Sequence, residues 1–324
     1  MLMEINYKIS VIIAVYNGER YILSCVEDLL GQSLHEIDLL LINDGSTDGT
    51  AGICDKCAQK DSRVRVFHEP HRGVAHARQV GIENAKGEYT IHIDADDRIA
   101  PTMLEEMYDA AKESNADMLI CDYREQKTNG YLYHSQKPTA LTQTAIIKDL
   151  IDGKLYGALW NKLIRTSIFQ DNQVYFRQEL RMREDMFFIF DVLPYISRIA
   201  YLPKAFYTYN RTNNTASLTN TYLCEDYNYY NQEVMWLKTA LESRLVSEEQ
   251  KKVLRSSLLN HAYITLTGDI FAKAEWFEKF SPFQQTFSLV SISYKKTLVL
   301  WALTGHYHSA SVFRRILAFL GRKK

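Results

Sequence analysis

Asp94, Asp96 and Asp97 follow directly on Tyr89–Ile93, a run whose β-branched residues mark a strand. Carboxylates this close repel one another, and burial at a strand end raises the cost, so the cluster calls for positive charge beside it. A hard divalent cation carrying phosphate would supply that charge. Oxygen ligands suit Mg2+ or Mn2+, and Mg2+ is commonly held by one or two carboxylates plus substrate phosphates. The same letters also read as a helix start, with Asp96 or Asp97 capping a helix that begins near Pro101. From these residues alone both readings stand. A second acidic pair, Glu184-Asp185, opens an apolar helical run that reaches Tyr195, where acidic side chains stabilise a helix's first turn.

The elements that position these groups alternate. Lys8–Val15 is a nearly continuous apolar run, as expected of a strand buried on both faces of a parallel sheet. Tyr16-Asn17-Gly18 turns the chain into a helix over Glu19–Leu30. Asp38–Asn43 predicts a second strand, ended by Asp44-Gly45-Ser46-Thr47-Asp48-Gly49, a run of turn and cap residues before a helix to Lys60. Val64–Phe67, a helix over Val74–Ala85, the Tyr89 strand, a helix over Pro101–Ser114 and a strand at Met118–Tyr123 follow. Such alternation implies right-handed crossovers and a mostly parallel sheet with helices on both faces, whose ligand sits beyond the carboxyl ends of the strands. Tyr16, Asn17, Asp44 and Asp94–Asp97 all fall there. Thr128-Asn129-Gly130 predicts a hairpin turn, and Ile199–Asn210 a last pair of strands.

Composition narrows the class. The 324 residues are 46% hydrophobic and 24% charged, enough for a large core. A net charge of −1 gives no bulk attraction to nucleic acid, so anion binding must be local. Five cysteines, an odd number with no signal peptide, favour reduced thiols and the cytoplasm. The lone pair Cys54 and Cys57 lacks the second pair a zinc site needs. Neither a G-x-G-x-x-G after the first strand nor a G-x-x-x-x-G-K-[ST] is present, which disfavours dinucleotide redox and P-loop chemistry. The longest apolar stretch, Thr286–Leu303, is broken by Lys295 and Lys296.

Five motifs in order resemble the family-2 inverting glycosyltransferases of GT-A fold, in the bacterial surface-polysaccharide branch: Ala14-Val15-Tyr16-Asn17, Asn43-Asp44-Gly45-Ser46-Thr47-Asp48, Arg72-Gly73-Val74-Ala75-His76-Ala77-Arg78-Gln79, Gly87-Glu88-Tyr89 and Asp94-Ala95-Asp96-Asp97. Each alone is weak; the ordered set is specific. The likeness runs from Lys8 to Tyr123 and continues more faintly to Tyr209. Asn43 stands where many members have Asp, and Gln79 where Asn is frequent.

What the resemblance implies is a UDP-sugar donor, a divalent Mn2+ or Mg2+, and a glycan acceptor, lipid-linked or carried on a protein. Nucleotide-sugar contacts would come from Ala14, Tyr16, Asn17, Glu19, Asp44, Gly45, Arg78, Asp94 and Ala95. Tyr16 would stack on uracil, Asp44 accept from its N–H, Asp94 bind ribose hydroxyls, and Asp96 ligate the metal. Asp185, with Glu184 second, would be the base that takes the acceptor's proton. Tyr156–Phe169 resembles a segment common in the bacterial polysaccharide members, where Trp160 would wall the sugar site or serve as core. The Gln-x-x-Arg-Trp motif of the processive members is absent, which implies addition of a single sugar. A sugar nucleotidyltransferase is the rival class, but Tyr16-Asn17-Gly18-Glu19 is no triphosphate loop.

The expected division is residues 1–222, with a nucleotide half to 123 and an acceptor half after it, then a helical domain over 223–324. Arg211–Asn220 reads as a lid. No acidic residue follows Glu278, so Val312–Leu320 with Arg322, Lys323 and Lys324 reads as a basic amphipathic helix. Such a helix lies on an anionic membrane surface, here the inner face, or packs on its own domain.

Overall fold

β1 (Ile9–Val15) is covered on both faces and apolar but for Ser10, whose buried hydroxyl donates to Asp38 Oδ2 at 2.7 Å. It pairs in parallel with β2 (Ile37–Asp44) on one side and β4 (Tyr89–His92) on the other, and β3 (Val64–Glu69) continues the parallel run beyond β2. The crossovers are α1 (Ile22–Leu30), α2 (Thr50–Lys60) and α3 (Val74–Asn84). α3 lies close on the sheet: a Cβ added at Gly81 would stand 2.4 Å from Cγ2 of buried Ile12. The computed structural model describes residues 7–178, 183–210, 234–241, 246–266, 271–291 and 293–321.

Beyond β4 the order departs from simple alternation. β8 (Lys162–Arg165) inserts antiparallel between β4 and β6 (Met118–Lys127), and β6 then pairs in parallel with β9 (Ile199–Asn210). The nine-stranded sheet runs β3-β2-β1-β4-β8-β6-β9-β5, with β5 (Arg98–Ile99) at its far edge. β7 (Gly130–His134) folds back on β6 through Thr128-Asn129, as expected. α4 (Met103–Glu113), α5 (Gln143–Ile151), α6 (Thr166–Asp171) and α7 (Glu184–Val192) complete this unit.

Two expectations are corrected. Ile199–Asn210 is one long strand and not a pair: Leu202 faces Cys121 and Ala205 faces Asp122, so Pro203 and Lys204 sit at a register shift, where a proline without an N–H is tolerated. The alternative of Asp96 or Asp97 as helix cap also falls. α4 begins after Thr102, which makes no side-chain cap bond, and the Asp97 carboxylate is taken by Tyr207 and the backbone N–H of Asn210.

The chain divides into two units, 1–216 and 217–324. The expected boundary at 222/223 and the lid over 211–220 lie outside the described residues. In the second unit, Glu248–Ile264 opens on a Ser247/Gln250 capping box. With Lys273–Phe280, Tyr294–Trp301 and Tyr307–Gly321 it surrounds buried Leu258, Trp276, Phe280, Phe287 and Tyr307. The last helix packs through Arg314, whose Nε donates to the Tyr263 carbonyl at 2.9 Å, while Val312, Phe313 and Ile316 stand exposed. No described helix is long and apolar enough to cross a membrane.

Candidate active site

The loops after β1 and β2 are sewn together by side chains. Asn17 takes a positive φ of 51° and its Oδ1 accepts from Thr47 N at 2.8 Å, while its own N–H donates to Ser46 Oγ. Glu19 Oε2 accepts from Gly49 N at 2.7 Å. These bonds fix the rim on which Tyr16, 46% exposed, stacks on His71 with ring centroids 4.1 Å apart. Asp44 is buried, and its two carboxylate oxygens accept from Arg72 N and Gly73 N, each at 2.9 Å. Gly45, with φ of 68°, admits that loop: a Cβ there would lie 2.5 Å from His71 N. Asn17, Glu19, Asp44 and Gly45, named from sequence as nucleotide contacts, thus also hold this rim in shape, and Ala14 lies in β1 beneath it.

Arg78 is the centre of the site. Carried on α3 and buried, it donates through Nη2 to Asp94 Oδ1 at 3.1 Å and through Nη1 to both Glu184 and Asp185. Three carboxylates from the β4 end and the start of α7 therefore converge on one guanidinium, whose own pKa they raise against burial. His92, two residues before Asp94, lies buried near Arg78 with its ring edge on Phe176. Burial and the Arg78 charge push its pKa well down, so it is neutral.

Asp94–Asp97 forms a tight turn closed by Asp97 N to Asp94 O at 3.2 Å, with Ala95 at its tip. The hydroxyl of Tyr207 ties it to β9: it accepts from Asp94 N at 3.2 Å and donates to Asp97 Oδ2 at 2.5 Å. Burial, then the charges of Asp94 and Asp96, push Asp97 up to about 8. Among the described residues no group of three or more His, Cys, Asp or Glu could hold a metal by itself. The part-exposed carboxylates of Asp94 and Asp96 are hard oxygen donors on a turn with excess negative charge. They fit a divalent cation whose other ligands are phosphate oxygens.

Glu184 and Asp185 open α7 after Arg183, which takes a left-handed φ of 57°. Asp185 does not cap its own helix. Its oxygens go to Arg78 and to Leu159 N, 3.4 Å away. Burial raises the pKa of both carboxyls, against the pull of Arg78, and pushes Glu184 up to about 7.

Leu159 belongs to a loop the sequence singled out only for Trp160. That ring is buried, stacked on Tyr207 with centroids 4.3 Å apart, and bordered by Tyr123, Tyr156 and Tyr209. The loop is clamped by Lys162, wholly buried, whose Nζ donates to Tyr156 O, Ala158 O and Asn161 Oδ1 at 2.7 to 2.8 Å. Burial lowers the Lys162 pKa to about 7, yet three acceptors around one nitrogen call for the ammonium form. Sequence reasoning missed Lys162, His71, His92 and Tyr207. A basic residue inside the apolar stretch Leu159–Ile164 was the one signal available.

A sequence profile described as Glycosyl transferase family 2 matches residues 10–177, just over half of the chain. The chain is 35% identical over 207 residues to the putative glycosyltransferase EpsH of Bacillus subtilis, covering 62% of this chain and 60% of EpsH, so it matches about three fifths of that relative's length. Residues 1–349 of Staphylococcus aureus TarS, solved in complex with UDP-GlcNAc, superpose with a TM-score of 0.71 at 22% identity, over 95% of this chain and 89% of that one. The mannosyltransferase PcManGT of Pyrobaculum calidifontis, solved with GDP-Man and Mn2+, gives 0.54 at 12% identity, over 97% and 85%. With the profile running from Ser10 in β1 through the rim and Arg78 to Arg177, and with a GT-A fold like that of TarS around them, this chain belongs to glycosyl transferase family 2.

Proposed function

We propose that the protein transfers a single hexose or N-acetylhexosamine, with inversion, from a UDP-sugar to a hydroxyl of a cell-surface glycan. The observation that carries this reading is the Arg78 bridge, which sets the carboxylate of Asp185 beside Asp94 at the nucleotide end of the sheet. Tyr16 and Asp44 would hold the uracil, by stacking and by a hydrogen bond from its N–H, and Asp94 the ribose. Asp185 takes the proton of the attacking hydroxyl on the face opposite the departing diphosphate. Arg78 keeps that carboxylate oriented and its charge offset. A cation held by Asp96, with Asp94 beside it, would act as a Lewis acid on the leaving group when bound.

The UDP-GlcNAc in the TarS structure supports a UDP-sugar donor, and the Mn2+ in PcManGT supports a divalent ion. The exposed Val312, Phe313 and Ile316 on a helix in a tail without acidic residues support attachment to an anionic membrane face, where a lipid-linked acceptor would be met. The test is a panel of UDP- and GDP-sugars with Mn2+, read by thermal stabilisation and sugar release. Stabilisation by UDP-sugars is expected. Stabilisation by a nucleoside triphosphate and by no UDP-sugar would overturn the assignment.

A further inference from the structure

The loop between α5 and β8 is built more elaborately than a connection requires. Lys162, buried beneath it, holds two of its carbonyls. Asn161, also fully buried, anchors it to β6 through Nδ2 to Cys121 O at 2.8 Å. Gln136 Oε1 accepts from Tyr156 N at 2.7 Å. At Gly157 a Cβ would meet that of Met186 at 2.8 Å, so the loop lies tight against the start of α7. A lysine taken wholly out of water is costly unless every proton finds an acceptor, and here that arrangement fixes one short stretch of backbone next to Asp185.

What the loop presents is aromatic. Tyr156 is 40% exposed, and its ring lies 5.6 Å from that of Trp160, 5.6 Å from Tyr123 and 6.2 Å from Tyr209. Trp160 and Tyr123 are buried behind it. Three residues along the same loop, the N–H of Leu159 reaches Asp185. A pyranose ring carries C–H bonds on one face and hydroxyls at its rim. It is matched by a rigid aromatic surface with polar groups at the edge, the usual make-up of a saccharide pocket.

We propose that Tyr156, backed by Trp160, Tyr123 and Tyr209, is the platform on which the terminal pyranose of the acceptor lies, and that Lys162 is the positioning residue holding this platform in register with Asp185. The assignment rests on the glycosyl-transfer reading and adds to it the acceptor's chemical class, a pyranose with an open C–H face. The ring stack carries the sugar, the clamp sets its distance from the base, and the hydroxyl to be glycosylated faces Asp185.

The experiment uses the labelled full chain on an array of pyranose oligosaccharides with saturating UDP and Mn2+, with UDP binding measured on the same samples. Wild type is expected to bind a subset of these glycans. Tyr156→Ala should lose about tenfold or more in glycan affinity, Tyr156→Phe should keep it, and UDP affinity should stay level in both. Lys162→Met should weaken glycan binding and lower kcat while leaving UDP affinity level, a split that general unfolding would not produce. Glycan binding by Tyr156→Ala equal to wild type, or none by wild type while UDP binds, overturns the platform alone. A loss of UDP-sugar affinity relative to UDP in Tyr156→Ala would put the donor sugar there and overturn it too. Absence of UDP binding by wild type would instead count against the transfer reading itself.

Discussion

The guanidinium of Arg78 donates to the carboxylate of Asp185. One residue stands on α3, the other at the head of α7, and the same Arg78 also grips Asp94 and Glu184. Burial on this scale leaves the cluster stable only while the charges answer one another, since removing one partner of a buried ion pair typically costs about 3–5 kcal/mol.

Arg78→Lys tests this geometry while keeping the charge. A lysine has one point charge where arginine has a planar fork, so it cannot serve Asp94 and the α7 pair together. We expect kcat to fall on the order of 100-fold through misplacement of the base. The acid limb of the pH profile should also move upward, because an ammonium that answers one carboxylate lowers the pKa of Asp185 and Glu184 less than the Arg78 fork that touches both. Steady-state rates across pH check both; a wild-type profile would contradict the bridge.

Glu184→Gln should change how stability depends on pH. Burial pushes the carboxyl up to about 7 from an ordinary 4.5, so its contribution is whole below pH 4.5 and is lost as pH rises toward 7. Glutamine has no such loss. Relative to wild type the variant should therefore gain stability across that window, by at most on the order of 3 kcal/mol. Urea melts at pH 5 and pH 7 measure the stability of the variant minus that of wild type, and a difference that stays constant or falls as pH rises would refute the burial account.

Gly81→Ala should destabilise by about 1–3 kcal/mol, since the new methyl meets Ile12 in a filled core. Equilibrium unfolding reads this directly. A neutral result would mean that α3, and Arg78 with it, sits further from β1 than described.

The half of the site that lies on the parallel sheet was legible because its signals are local. Apolar runs end in Tyr16-Asn17, Asp44-Gly45 and Asp94-Ala95-Asp96, and a parallel sheet collects strand ends at one edge. The other half rests on contacts between distant segments. Nothing near Asp97 in sequence announces Tyr207, and nothing near Asp44 announces that its carboxylate gathers the backbone of Arg72 and Gly73. β8 hid for the same reason: it is four residues long and antiparallel, so no crossover helix marks it. The motif around Arg78 implies a nucleotide contact, and only the fold shows the three acids around it.

The most direct measurement compares Asp185→Asn with wild type, following sugar transfer from a UDP-sugar and UDP binding by calorimetry on the same preparations. UDP affinity should stay close to wild type while transfer falls roughly a thousandfold. Transfer by Asp185→Asn at the wild-type rate would contradict the assignment of Asp185 as the base.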